Sequence, residues 1–261
     1  MKALAARRRH PLAAVILILL GLLITGATYA AAAPGDVSTE GLTGNVDNGE
    51  DLFLANCSTC HGIGAVGAEA GPSLIGVGAA AVDFQVGTGR MPMEATAPQA
   101  PRKPVEMSAQ DVADLAAYVA SLGPGPGIPD EEYTSATDDQ TALAEGAELF
   151  RVNCAMCHNV VGSGGALTRG KYAPRLDGVS GTHIYEAMLT GPQSMPVFND
   201  ANITPEEKKA VISYLKYIEA QPSPGGFTLG SLGPVSEGLF VWVGLLLMII
   251  GCTVWLGAKS S

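Results

Sequence analysis

Two cysteines, separated by two residues and followed directly by a histidine, occur twice in the chain. The first string is NCSTCHGIG at 56–64 and the second is NCAMCHNVV at 153–161. In both copies a glycine, a leucine and a phenylalanine precede the first cysteine by eight, five and four residues. Downstream, GPSLIGV (71–77) matches APRLDGV (173–179), and RMP (90–92) matches SMP (194–196). A pattern repeated over about 80 residues predicts two similar folded units.

Each repeat closes with the pattern of an amphipathic helix. SAQD at 108–111 and TPEE at 204–207 are capping boxes, and apolar residues follow at spacings of three and four. We expect this apolar face to pack against the helix that carries Phe53 in the first repeat and Phe150 in the second. No alternating β pattern of useful length occurs, so the fold is predicted to be mainly α.

The two ends of the chain are apolar. A basic cluster at Arg7–Arg9 and an uncharged run at 12–28 predict a signal sequence or a signal anchor over 1–33, and the residues leave both open. Residues 238–258 carry no charge. At ~1.5 Å per residue they are long enough to cross a bilayer, which predicts one C-terminal transmembrane helix. If the basic cluster stays in the cytoplasm, the middle of the chain lies outside the cell membrane and the C-terminus inside.

Between these ends the chain is acidic and divides into repeats and linkers. All 25 carboxylates fall between Asp36 and Glu237, against 10 basic residues, which is a net charge of −15. This charge excludes nucleic acid as a partner and favours either a basic docking partner or a plain solvated surface. Residues rich in proline and glycine mark the linkers. The predicted segments are 1–33, 43–122 (first repeat), 123–139 (linker), 140–220 (second repeat), 221–237 (linker) and 238–258.

The spacing of the repeated string indicates its chemistry. Thiols three residues apart lie one helical turn apart on the same face, and the histidine projects beside them. This is the attachment signal for a c-type haem. A zinc site would need the two pairs brought together, and a thioredoxin-like motif would need a βαβ context, so both are disfavoured. We therefore predict two covalently bound haem c groups, with these thiol and imidazole ligands: Cys57, Cys60, His61, Cys154, Cys157 and His158.

Over about 45–122 and 140–220 the chain resembles the class I cytochromes c, so the two repeats are expected to be tandem cytochrome c domains. The resemblance implies that a methionine followed by a proline is the second axial ligand of each iron, which corresponds to Met91 and Met195. It also implies that the carbonyl groups of Pro72 and Pro174 accept a hydrogen bond from the ligand histidines.

Several nearby residues have alternative roles. Met93 is the rival of Met91 as ligand, whereas Met107, Met156 and Met188 are expected to pack in the protein. His183 is expected to be a surface or capping residue, with ligation in place of Met195 as the alternative. Arg90 and Arg175 are expected to be surface charges, with pairing to haem propionates as the alternative.

Two domains followed by one C-terminal helix resemble the dihaem cytochrome c subunit of the actinobacterial-type cytochrome bcc complex, a menaquinol–cytochrome c reductase. The resemblance implies partnership with cytochrome b and Rieske iron–sulfur subunits, and with a terminal oxidase in a supercomplex. It implies electron transfer from the Rieske protein towards the copper centre of that oxidase. Because His/Met ligation fills both axial positions, no catalytic residue is predicted in this subunit, whose enzymatic role is that of the whole oxidoreductase complex.

Three alternatives remain open. The first is the dihaem subunit of a cbb-type oxidase, against which the C-terminal helix counts. The second is the cytochrome subunit of a membrane dehydrogenase, in which three haem motifs are common. The third is a dihaem peroxidase, which needs an open iron position and is disfavoured by the two methionines.

Overall fold

The computed structural model describes residues 11–32, 37, 39, 41–95, 97–220 and 234–259. The basic cluster at Arg7–Arg9, Ala33 and most of the second predicted linker (221–233) lie outside the described residues. Within them the chain is mainly helical, as predicted.

The helices follow the two repeats. Helix α1 precedes the first repeat, α6 lies between the repeats, and α11 ends the described chain. Their bounds are Pro11–Ala32 (α1), Val46–Asn56 (α2), Ser58–His61 (α3), Ala79–Gly87 (α4), Ala109–Ser121 (α5), Glu131–Thr134 (α6), Gln140–Asn153 (α7), Ala155–His158 (α8), Gly181–Thr190 (α9), Pro205–Ala220 (α10) and Pro234–Lys259 (α11). In the second repeat, strands β1 (Gly165–Ala166) and β2 (Tyr172–Ala173) form a short antiparallel ribbon.

Both predicted capping boxes are present. The Ser108 hydroxyl accepts the backbone N–H of Asp111, and the Asp111 carboxylate accepts the N–H of Ser108, at the start of α5. Thr204 and Glu207 make the same reciprocal pair at the start of α10, at 3.3 and 2.7 Å. These bonds satisfy backbone donors that the first turn of a helix leaves open, which is why both closing helices begin at the predicted residues.

The first long helix of each repeat packs across the closing helix. The centre of the Phe53 ring lies 5.3 Å from the centre of the Tyr118 ring, and the centres of the Phe150 and Tyr214 rings are 5.7 Å apart. Both phenylalanines are buried in the cores of their domains, which confirms the predicted contact.

The repeated glycines explain how closely these helices approach. A Cβ on Gly49 would collide with the backbone carbonyl of Asp114, and a Cβ on Gly146 with that of Ala210. The same offset from the first cysteine therefore serves the same helix crossing in both domains.

The segment 123–139, which we predict to be a linker, is partly folded onto the second domain. It contains the single-turn helix α6, in which Thr134 is buried and Tyr133 packs against the core of the second domain. The beginning of the segment contacts the first domain instead, because the Pro126 carbonyl accepts the backbone N–H of Ala80 at 3.1 Å and Ile128 packs against the first core.

The two domains are packed against each other along helices α4 and α9. A second contact joins the loop after α4 to the β-ribbon. There Gln99 donates its side-chain amide N–H to the carbonyl of Tyr172 (2.8 Å) and accepts the Tyr172 backbone N–H (2.9 Å). The backbone N–H of Ala100, a buried residue, donates to the side chain of Gln193 at 3.1 Å. These contacts give the domains a defined relative position.

The C-terminal helix leaves the folded domains. Val235–Ala258, within α11, has a mean hydropathy of 2.5 and is unburied by the rest of the described chain. Among the described residues it is the helix long and apolar enough to cross a membrane, whereas the apolar part of α1, Ala13–Thr28, is shorter. The exposed apolar surface of α11 fits lipid contact.

Candidate functional site

The second domain places its cysteine string at the junction of two helices. Cys154 lies between α7 and α8, and Cys157 and His158 belong to the single turn of α8. All three side chains line one apolar cavity, together with Met195 from the loop after α9. The four residues that the repeat pattern singled out in this domain are therefore brought to one site.

The imidazole of His158 is held in a fixed orientation. Its Nδ1–H donates to the carbonyl oxygen of Pro174 at 3.1 Å. Burial lowers the pKa of His158, against the opposing effect of that hydrogen bond. Since Nδ1 is used for this bond, Nε2 is the nitrogen available to a metal ion.

The Cys154 thiol of the second domain is kept protonated by its environment. Burial, and then the neighbouring Cys157, raise the pKa of Cys154 to about 11. A half-buried thiol of this kind is poorly suited to metal binding as a thiolate or to redox catalysis, both of which use the deprotonated form.

Met195 is distant in sequence from the cysteine string, but its side chain lines the same cavity. Its side chain is half-buried and packs partly against the cluster around Phe150, Met188 and Leu215. Its backbone N–H donates to the carbonyl of Pro192 at 3.0 Å, which fixes the loop that carries it. A thioether and an imidazole thus line one cavity whose walls are otherwise largely apolar.

Part of the wall of this cavity comes from the first domain. Phe84, Thr88, Arg90, Gln99 and Arg102 all line it. The Arg90 guanidinium lies 4.6 Å from the centre of the Phe84 ring, a cation–π contact. Arg90 is therefore part of the site of the other domain. Arg175 is exposed and pairs with Asp177 at 2.7 Å, and it lines the same cavity.

The first domain repeats the arrangement around its own string. The Nδ1–H of His61 donates to the carbonyl oxygen of Pro72 at 2.8 Å. Burial, and then the neighbouring Cys60, raise the pKa of Cys57, whose side chain packs against the core that contains Phe53.

The first site is the more open of the two. Cys60 is exposed and His61 is half-buried, whereas in the second domain Cys157 is half-buried and His158 is only 9% exposed. Met91 and Met93 are both half-buried, and the backbone N–H of Met91 donates to the carbonyl of Gln85 at 2.9 Å.

These groups fit a c-type haem. Two thiols at one helical turn suit two thioether bonds to one macrocycle, and a histidine held through Nδ1 presents Nε2 to the iron. In the second domain the largely apolar cavity beside them would give such a group a hydrophobic enclosure, and the Met195 thioether in its wall is a soft donor of the kind that haem iron accepts.

Two expectations about single residues are wrong. His183 is fully buried between the domains, because α9 packs on α4, a contact between segments about 100 residues apart in sequence. Met156 is 93% exposed rather than packed, because it projects outward from the turn between the two cysteines. Met188 is buried and Met107 packs partly against the first core, as expected.

Comparison with known families defines the class of protein. Residues 46–123 match the family described as cytochrome c, and residues 141–215 match the family described as cytochrome C oxidase, cbb3-type, subunit III. Together with the helical fold and the two strings, these matches show a protein of two tandem cytochrome c domains.

Comparison with known proteins covers the chain almost from end to end. It is 46% identical to the "Cytochrome bc1 complex cytochrome c subunit" of Corynebacterium efficiens, over 82% of this chain and 77% of that protein. The subunits of the same name from Corynebacterium diphtheriae and Mycobacterium tuberculosis are 40% and 41% identical, over 99% and 97% of this chain and 99% and 93% of those proteins. The chain belongs to the family of cytochrome bc1 complex cytochrome c subunits.

Proposed function

We propose that the chain is a membrane-anchored dihaem electron carrier that works as a subunit of a cytochrome bc complex. In this role it takes electrons from the Rieske iron–sulfur protein and passes them towards the copper centre of a terminal oxidase. One observation carries the proposal: each domain presents a complete CxxCH string whose histidine is oriented by a proline carbonyl, at 2.8 and 3.1 Å. Relatives that span both domains and the C-terminal helix support the assignment to this complex.

We propose the following roles for the site residues. The four cysteines of the strings bind two haem c groups covalently, His61 and His158 are axial ligands, and Met91 and Met195 complete the coordination. A haem bound in this way supplies one-electron transfer at its iron. Because the protein fills both axial positions, its own residues leave no position for oxygen, peroxide or another substrate. The enzymatic activity therefore belongs to the complex, and this subunit contributes electron transfer between its partners.

The difference in enclosure between the sites suggests a direction of transfer. His158 is nearly fully buried and four cationic side chains line its cavity (Arg90, Arg102, Lys171 and Arg175), whereas His61 is half-buried. Low exposure and nearby positive charge both disfavour the oxidised iron, so we propose that the second domain has the higher midpoint potential. Electrons would then enter at the first domain and leave from the second.

The C-terminal helix supplies the anchor in this proposal. It crosses the cell membrane, with the acidic haem domains on the outer side and the C-terminus in the cytoplasm. The apolar residues 235–258 support the anchor, and the basic residues Arg7–Arg9 support the orientation.

A prediction follows from the shared wall of the second cavity. Arg90→Gln should lower the midpoint potential of the second-domain centre by roughly 20–70 mV, which corresponds to about 0.5–1.5 kcal/mol for a one-electron couple. The reason is that a cation contributed by the first domain no longer disfavours the oxidised iron of the second. Spectroelectrochemical titration of the purified protein measures the effect.

Arg169→Gln is the matched control, since Arg169 is exposed and does not line the cavity. It should leave both potentials in place. A shift at the first-domain centre alone after Arg90→Gln would show that Arg90 serves its own domain instead.

A second candidate function is the dihaem subunit of a cbb-type oxidase. The match of residues 141–215 to a cbb3-type subunit family favours it. That match covers one domain, whereas the bc1 subunits match both domains and the C-terminal helix, so we retain the bc complex as the proposed assembly.

Quinol-dependent reduction separates the two candidates. In isolated membranes with the oxidase inhibited, added menaquinol should reduce the c-type absorption bands of this chain. Deletion of the cytochrome b gene should abolish that reduction, because quinol oxidation occurs outside this subunit. Reduction at an unchanged rate without cytochrome b would contradict the proposal and favour the cbb-type alternative.

A further inference from the structure

Three ionisable side chains meet in the interior of the interface between the domains. Asp83 belongs to α4 of the first domain, and His183 and Glu186 belong to α9 of the second. One ligand atom from each lies within 4.8 Å of the other two. All three residues are fully buried, with 0% of their surface exposed to solvent. His183 also reaches the wall of the second-domain cavity, which Asp83 and Glu186 do not line.

The arrangement arises from two helix faces. Residues 183 and 186 are three positions apart and therefore lie on the same side of α9, facing α4. The His183 and Phe84 rings are nearly perpendicular, with their centres 6.1 Å apart, and a Cβ on Gly87 would lie 3.1 Å from His183 Nε2. The close packing of α4 on α9 therefore removes all three polar side chains from solvent.

The Asp83 carboxylate is the group of this cluster that most needs a partner, because it is fully buried. Within the described part of the chain its two carboxylate oxygens accept no hydrogen bond. The nearest charge partner is His183 Nε2, 3.5 Å from Asp83 Oδ2, beyond the distance of a good hydrogen bond. A carboxylate that is fully removed from water is costly unless it is hydrogen-bonded, paired or bound to a metal ion.

We propose that Asp83, His183 and Glu186 bind one divalent transition-metal ion, for which Zn²⁺ is the best match. One imidazole nitrogen and two carboxylate oxygens form a ligand set that Zn²⁺ takes in proteins. A doubly positive ion would also offset the charge of the buried Asp83 carboxylate. Because the ligands come from both domains, the ion fixes the relative position of the two electron-transfer centres.

Metal analysis of the intact protein tests the proposal. The full-length chain, loaded with haem and purified in mild detergent, should contain one transition-metal ion per chain in excess of haem iron. Mass spectrometry of the elements gives total manganese, iron, cobalt, nickel, copper and zinc, and the pyridine haemochrome gives the haem iron to subtract. Asp83→Asn and Glu186→Gln should lose the extra ion and keep their haem, whereas Asp51→Asn, at an exposed position on α2, should keep both.

A measurement on the unaltered chain covers the case in which the variants fold poorly. Removal of metal with a chelator, followed by calorimetric titration with ZnCl₂, should show one saturable equivalent. If the purified protein holds no extra metal and the titration shows no saturable equivalent, the proposal is wrong. An equal amount of extra metal in Asp83→Asn and in the unaltered chain would also overturn it. The proposed metal ligands lie at the domain interface and are not haem ligands. A loss of metal can therefore be distinguished from a loss of haem.

Discussion

Replacing Cys57 and Cys60 together with alanine is expected to halve the covalently bound haem of the chain, from two per chain to one. Cys57 immediately precedes the single turn of α3 and Cys60 lies within it, and no other cysteine lies in the same domain. The second string sits on its own helices, α7 and α8, so its attachment should survive. Haem staining of the denatured protein and a pyridine haemochrome assay give the count.

The chain contains its own controls for this experiment. Cys154→Ala with Cys157→Ala should also leave one haem, in the first domain. Cys252→Ala should leave two, because Cys252 lies in the apolar helix α11, away from both strings. An unchanged haem count in the first double variant would refute the assignment of that string.

Replacing Met195 with histidine is expected to lower the midpoint potential of one centre by a few hundred millivolts, a fraction of the ~0.8 V range that axial ligands span. A thioether is a soft donor that favours reduced iron, whereas an imidazole stabilises the oxidised form. The weak sulfur-to-iron absorption band of that centre in the near infrared should vanish. The centre of the first domain should keep its band, since each domain is expected to supply its own ligands.

The first domain allows a matched pair of variants. Met91→Leu should remove the sulfur-to-iron band of that domain, and Met93→Leu should leave it. Both side chains are half-buried, so the two variants differ little in the packing they disturb. Loss of the band in Met93→Leu with retention in Met91→Leu would show that Met93 is the ligand.

Local patterns account for the parts of the fold that could be predicted. The capping boxes mark the starts of α5 and α10 because the side chains that satisfy the open backbone donors lie within three residues of each other. The contact of Phe53 with Tyr118 could be predicted from the apolar face of the closing helix. The internal repeat then predicts the equivalent contact of Phe150 with Tyr214. The short spacing inside each string also brings its ligands together without information from the rest of the fold.

The interface between the domains could not be predicted in this way. Asp83 and His183 are polar residues in short helices, and a single-sequence pattern assigns such residues to the surface. Their burial results from the docking of α4 on α9, which depends on the shape of two whole domains. The same holds for Arg90 and Gln99, which lie in the first domain by sequence and line the cavity of the second. Proximity in space across such distances leaves no periodic signal in the chain.

Affinity purification of the tagged chain from membranes in mild detergent tests the assignment to a cytochrome bc complex. This assignment predicts that a cytochrome b and a Rieske protein co-purify with the chain, and that menaquinol reduces both of its haem centres in the isolated assembly. Recovery of the chain with a copper–haem oxidase core, but without a cytochrome b and without quinol-dependent reduction, would contradict it.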